Sequence, residues 1–341
     1  METQKQRIEY IDALKGFAIF CVLWGHSMQY LKNGYDFWHN PMFAFIYTFH
    51  MPLFFVISGF FFRSSLKLNF KEFLFNKSVQ LLLPCVAWAI ISYVIRFLAM
   101  AVTGNEFFFG NWVTELQKIF LPEFWPWFLR ELFISYFIVY LFLKLLKKDW
   151  LACLLSIVFV FTTPFFGLQR TFLPLFWAGI YLKNNYQFIL KYANKILIIS
   201  GVIFAVCLIF WDGTVTTFPQ LFNIRTLSFN FTNVDTSFFR LFIGLFGSLF
   251  WFMLFYRIYR NNKFFVVLVK TGVSTLAIYL LQRLLLEYFI STMVDFPDMN
   301  IWVYNLIVTP LISLAVLAVC MLMIKFIQKN KYAELLLFGK K

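Results

Sequence analysis

Apolar runs separated by short polar or basic breaks recur along the whole chain, and about ten of them approach the roughly 20 residues that cross a bilayer. The spans are expected at about residues 8–31, 41–62, 78–103, 124–143, 150–163, 171–182, 196–211, 237–256, 271–293 and 301–324. The fifth and sixth are short, and the "TPFFGLQR" between them, interrupted by Pro164 and Gly167, reads as a tight or re-entrant connection. Ahead of the third span, "LNFKEFLFNKSVQLLLP" spaces Phe and Leu against Lys67, Lys71 and Lys77, which predicts an amphipathic segment lying on the inner leaflet. The longest outer loop, about residues 212–236, mixes Thr and Asn with Phe. It fits either a carbohydrate-facing surface or a plain interfacial loop.

No polar linker, repeat or stretch long enough for a soluble domain interrupts this pattern. The expected fold is an all-α membrane protein, a polytopic bundle of about ten transmembrane helices forming one domain over residues 1–341, with no appended soluble domain. The first helix is expected to stay, because Asp12 and Lys15 precede its apolar run and no small-residue cleavage site follows.

Composition agrees: 61% of residues are hydrophobic and 13% charged, against about 25% charged in ordinary globular proteins. The net charge of +14 would suit a nucleic-acid partner in a soluble protein. Its distribution excludes that partner. With a cytoplasmic N-terminus, most of the 30 Lys and Arg residues fall in cytoplasmic segments, while the outer loops hold only Lys32, Lys118, Arg170 and Arg225. The positive-inside rule then places both termini in the cytoplasm of a multi-pass protein of the inner (cytoplasmic) membrane, with membrane lipids as contacts of its basic face. All five cysteines lie inside apolar runs and read as packing residues, with no disulfide framework.

Lys15, Arg96, Arg130, Arg240 and Arg283 remain inside spans, where each charge costs roughly 2.5 to 3.5 kcal/mol on insertion scales and so implies a partner or a function. In "YIDALKGFAIFCVLWGH", Asp12 and Lys15 stand near the cytoplasmic end and could simply snorkel. His26 is eleven residues past Lys15, a rise of roughly 16 Å, and eleven steps of about 100° return it to the same face. Asp12, Lys15 and His26 therefore form a polar stripe, although a membrane histidine can also serve only as a helix-packing hydrogen bonder.

The second span carries His50 in "TFHMPLFFVISGFFF", at a depth within about 6 Å of His26 if the two helices are antiparallel neighbours. Two such imidazoles suit one of them to act as a general base near neutral pH. No third ligand accompanies them for a metal, so no metal is expected. Ser58 and Gly59 read as a site of close helix approach rather than a nucleophile. In "WPWFLRELF", Arg130 and Glu131 are adjacent and each is expected to need another partner. Arg283 and Glu287 can pair at a spacing of four, Arg96 has no local acid, and Arg240 reads as interfacial.

The stretches "RIEYIDALKGFAIFCVLWGH", "FHMPLFFVISGFFF", "WPWFLRELF", "LPLFWAGIYLK" and "STLAIYLLQ" together resemble, in order, the hallmarks of the acyltransferase 3 family of integral membrane acyltransferases. The resemblance covers most of the chain and rests chiefly on the first two stretches. It implies a bundle of about ten spans that moves acyl groups, usually acetyl from cytoplasmic acetyl-CoA, to hydroxyls of surface polysaccharides, other glycans or small molecules. The family's first-helix motif, a basic residue, ten residues and then His, falls on Lys15 and His26. Arg is commoner at the first position, and Lys keeps the charge while losing bidentate phosphate recognition. A His that often follows "YLL" is here Gln282. Many members carry an exported hydrolase-like domain, and nothing of that kind is seen here.

The expected chemistry follows. Lys15, with Asp12 beside it, would attract the anionic phosphates of acyl-CoA; His26 would deprotonate the acceptor hydroxyl; His50 would orient either His26 or the acceptor; and Arg130 would stabilise developing negative charge. The rival is a transporter or flippase for an anionic or glycosylated molecule, in which the same charges line a path.

Overall fold

The computed structural model describes residues 8–32, 36–103, 126–213, 217–223, 226–294, 296 and 299–340. Its helices are α1 (Glu9–Tyr30), α2 (Pro41–Phe60), α3 (Phe70–Lys77), α4 (Leu83–Thr103), α5 (Trp127–Leu146), α6 (Asp149–Thr162), α7 (Gly167–Asn184) and α8 (Tyr186–Lys191). They continue as α9 (Ala193–Ile209), α10 (Val234–Ile258), α11 (Lys263–Val273), α12 (Thr275–Arg283), α13 (Ser291–Met293), α14 (Ile301–Val303), α15 (Thr309–Ile327) and α16 (Lys331–Phe338). Among the described residues the only strands are Phe222–Asn223 and Ser228–Phe229, paired as a short antiparallel hairpin.

The ten apolar segments are mostly helical where described, but only four described helices are long and apolar enough to cross a membrane by length and composition, or five if one bent pair is counted as a single span. That pair is α11 and the helix from Thr275 to Ile290, which meet at 72°. The sequence presents residues 271–293 as one run, whereas the structure breaks it at Ser274. A second departure concerns the amphipathic segment. Asn69 and Glu72 form a capping box that starts α3, and a π-helical turn, Ser78–Leu82, carries it straight into α4. It is the foot of a span rather than a separate surface helix.

Helix α1 is central and packs against α2, α10, α11, α12 and α15, while α2 also packs on α7. Two of these crossings bring backbones together at glycines. A Cβ on Gly16 would lie 2.0 Å from the Leu268 carbonyl oxygen, and one on Gly272 would lie 1.7 Å from that of Asp12. In the α2–α7 crossing, the same test at Gly59 and Gly179 gives 1.9 Å to the carbonyl oxygens of Phe176 and Val56. Close approach of this kind gives packing contact where lipid offers no hydrophobic driving force, and it accounts for Gly59 in the "SG" pair. Polar side chains fix α1 laterally. Trp24 donates to the Asn305 carbonyl at 2.9 Å, and Ser27 bonds Ser313 at 2.9 Å. Buried Asn40 and Asn305 exchange amide hydrogen bonds of 2.7 and 3.0 Å, while Asn40 also caps α2.

Arg170 is not the loop cation that the sequence indicates. It is 4% exposed and donates to the carbonyls of Val160, Thr163, Pro164 and Phe218, holding the "TPFFG" connection against the outer loop. Gln220 adds a bond of 2.7 Å to the Thr162 carbonyl. Lys118 and Arg225 lie outside the described residues. The cysteines are free, four of them buried and Cys153 partly so, as expected of packing residues.

Candidate active site

A cavity of about 270 Å³ lies between α1, α2, the α3–α4 junction, α5 and α12. On α1 it is lined by Lys15, Ile19 and Val22, which share a face because their steps of four and three residues match the helical turn. Four residues further along the same stripe is His26. The α2 lining includes Phe54 and Met51, and the next residue is His50. On α12 the lining ends at Tyr279, with Gln282 and Arg283 one turn beyond. Three helices thus carry the cavity wall inward from Lys15 and then present His26, His50, Gln282 and Arg283 just past its deep end. Val22, Met51, Phe128 and Tyr279 form that end.

The hydrogen bonds settle which nitrogen of each imidazole carries the proton. Gln282 donates its Nε2–H to the Tyr279 carbonyl at 3.2 Å, so its Oε1 faces His26 Nδ1 at 2.9 Å and must accept from it. His50 Nδ1–H likewise donates to the Ile46 carbonyl at 2.7 Å. Both rings therefore hold Nδ1–H and leave Nε2 with a free lone pair, the form a general base needs. His26 is partly accessible and His50 is 2% exposed. The two rings are close enough to interact electrostatically, though among the described residues no hydrogen bond joins them. Tyr30 stands edge-on to His26 at 5.9 Å and Tyr47 to His50 at 4.6 Å. Arg240 interacts with Tyr47 and His50.

At the other end, Lys15 pairs with Asp12 at 2.6 Å, with the two side chains 23% and 13% exposed. A second cation stands there that sequence reasoning assigned only to the amphipathic segment. Lys77 lies 3.8 Å from the centre of the Tyr136 ring and donates to Gln80 Oε1 at 3.1 Å. Tyr136 and Gln80 both line the cavity. The available signal was the three-residue spacing of Lys77 and Gln80 on one helical face, but nothing in the sequence joins them to α5.

A model of an acyltransferase domain matches residues 8–325 of this sequence. The chain belongs to the acyltransferase 3 family. It is similar to the nodulation protein NolL of Sinorhizobium fredii, with 28% identity over 224 residues, which are 62% of this chain and 59% of that relative. It is also similar to the nodulation protein NolL of Mesorhizobium japonicum, with 25% identity over 298 residues, 80% of this chain and 74% of that one. The chain therefore spans less than two thirds of the length of the first of these relatives. No solved structure matches it.

Within this acyltransferase 3 chain, the expectation for Arg130 and Glu131 needs correcting. Although adjacent, they pair with each other, through Arg130 Nε and Nη2 to Glu131 Oε1 at 3.0 and 2.9 Å. Adjacent side chains diverge by about 100° around a helix, but the arginine arm is long enough to fold back in the first turn of α5. Glu131 is held there by Gln169, which donates at 2.8 Å and accepts from Ser135 at 2.7 Å. The pair is not remote from the cavity, because Arg130 interacts with Cys85 and Cys85 with Tyr279. Arg283 and Glu287 pair at 2.6 Å as the spacing predicts, at the start of a π-helical turn, Leu284–Ile290. The side chain of Arg96 lies outside the described residues.

Proposed function

We propose that the protein is a membrane O-acyltransferase that moves an acetyl or similar acyl group from cytoplasmic acyl-CoA, with acetyl-CoA as co-substrate, to a hydroxyl of a cell-surface carbohydrate or related acceptor. The observation that carries this reading is the cavity itself, which has Lys15 in its wall and Lys77 over its Tyr136 at one end, and at the other runs to Val22 and Met51, from which α1 and α2 continue to His26 and His50. A long, thin donor with an anionic head fits that polarity. Lys15, steadied by Asp12, and Lys77 attract its phosphates, and its thioester reaches the deep end. His26 Nε2 takes the proton of the acceptor hydroxyl, the oxygen attacks the thioester carbon, and the expelled thiolate recovers the proton from the imidazolium. Gln282 orients His26. His50, with Arg240 and Tyr47 beside it, orients the acceptor from the outer side, and paired Arg130 adds positive charge near the start of α5.

In this reading the single domain makes ten passes through the inner membrane with both termini cytoplasmic. Supporting that arrangement, Trp88 on α4 donates to the Leu337 carbonyl at 2.9 Å, and Gly339 sits against the backbone of Gln80, at the Lys15 end of the cavity.

The test is mass spectrometry of surface glycans from cells carrying wild type, His26→Ala or no gene. An alkali-labile acyl increment only with wild type supports transfer, and its mass identifies the acyl group. Identical glycans from all three, with both proteins well expressed and no thioester consumed by the purified wild type, would favour the transporter reading.

A further inference from the structure

We propose, on the basis of the acyl-transfer reading, that the Tyr279 hydroxyl is a catalytic group that donates a hydrogen bond to the reacting carbonyl oxygen. Tyr279 is the last lining residue along α12, shares the cavity lining with Val22 and Met51, and has its ring 5.5 Å edge-on to Phe128. Its backbone carbonyl is the one that holds Gln282. The phenol is therefore built into the same turn that orients the base, one turn nearer the donor's point of entry.

The hydroxyl is arranged to donate inward. Phe128 is the second residue of α5, and the first N–H groups of a helix have no intrahelical acceptor. The Phe128 N–H faces the Tyr279 oxygen, which leaves the phenolic hydrogen to be used elsewhere. Among the described residues no group accepts it. The start of α5 and the Arg283 guanidinium both lie within electrostatic range of this oxygen. A thioester carbon placed between Tyr279 and His26 would have its oxygen at the first and its incoming nucleophile at the second.

The electron accounting is closed by groups already named. As the acceptor oxygen bonds to the carbonyl carbon, its proton passes to His26 Nε2 and the carbonyl π pair moves to oxygen, where Tyr279 stabilises it. Collapse re-forms the double bond and breaks carbon–sulfur, and the thiolate takes the proton from His26. Tyr279 donates throughout without giving up its proton.

The experiment measures acetyl-CoA consumption, with and without a glycan acceptor, by purified wild type, His26→Ala and Tyr279→Phe in lipid nanodiscs. Tyr279→Phe keeps the ring against Phe128 and removes the hydroxyl. The expected result is a fall in kcat of about 10²- to 10³-fold, the usual loss for one oxyanion donor, with KM for acetyl-CoA within about twofold. A kcat within about threefold of wild type overturns the proposal while leaving the acyl-transfer reading intact. No thioester consumption by wild type, with or without acceptor, overturns both. If Tyr279→Phe does not fold, fluorotyrosine at position 279 preserves packing while changing the donor's acidity. A changed kcat at constant KM then supports the role, and an unchanged kcat overturns it.

Discussion

His26 and Gln282 are joined by one hydrogen bond of 2.9 Å, and its direction follows from a second bond that Gln282 makes to the Tyr279 carbonyl. This chain of two bonds fixes the His26 tautomer as Nδ1–H. A glutamine cannot relay a proton as a histidine would, but it can hold the base in the form that accepts one.

Gln282→Leu should therefore lower kcat by about 10- to 100-fold, the range for losing a group that orients a functional histidine, with little change in donor KM. Gln282→His, which can also accept from Nδ1–H, should retain more activity than Gln282→Leu. Steady-state kinetics of the purified variants decide it. Equal activity in Gln282→Leu and wild type would mean that His26 is held by something else.

The two mouth cations give a different signature. Lys15→Ala and Lys77→Ala should each raise KM for acetyl-CoA about tenfold, equivalent to about 1.4 kcal/mol, and leave kcat nearly unchanged. Lys15→Arg should restore donor use, since a guanidinium keeps the charge and adds bidentate phosphate contact. Both effects should shrink at high ionic strength, because partly exposed charges are screened. A kcat loss with unchanged KM would place these lysines outside donor binding.

Arg130 and Glu131 should behave as a unit. Removing one member of a poorly exposed pair leaves the other uncompensated, and the Glu131 side chain is only 7% exposed. Arg130→Ala alone is expected to destabilise the protein more than Arg130→Ala combined with Glu131→Gln. Thermal midpoints of both single variants and the double variant form the cycle that measures this coupling. Additive losses would show that the pair is not energetically linked.

The Lys15–His26 stripe is legible in the sequence because eleven residues return to one helix face, and Lys15, Ile19 and Val22 on that face line the cavity. The Arg283–Glu287 pair is legible for the same local reason. Lys77, Tyr279 and Arg240 are not, since each acquires its place through a different helix: Lys77 through Tyr136, Tyr279 through Phe128, and Arg240 through Tyr47. An apolar run also conceals its own breaks. Nothing between residues 271 and 293 marks the turn at Ser274 except a Gly and a Ser, residues equally common inside membrane helices. The reach of Arg130 back to Glu131 escaped a spacing rule that is framed for side chains standing straight out from the helix.

The α1–α11 crossing ties stability to the position of Lys15. Gly272 touches the Asp12 carbonyl and Gly16 touches that of Leu268, so the turn of α1 that carries Lys15 has its position set by two absent side chains. Gly272→Ala should cost about 1–3 kcal/mol of stability, the usual range for overpacking. Trimming a neighbouring side chain should not rescue it, because the obstacle is a backbone oxygen 1.7 Å from the new Cβ. The displacement of α1 should also move Lys15 and raise KM for acetyl-CoA. Gly167→Ala is the matched control, since nothing lies within 4 Å of a Cβ there, and it should leave both quantities unchanged. Thermal unfolding and donor KM measured on the two variants separate the cases. A Gly272→Ala protein with wild-type stability and wild-type KM would mean that the two backbones do not touch, and that Lys15 is positioned by its ion pair with Asp12 alone.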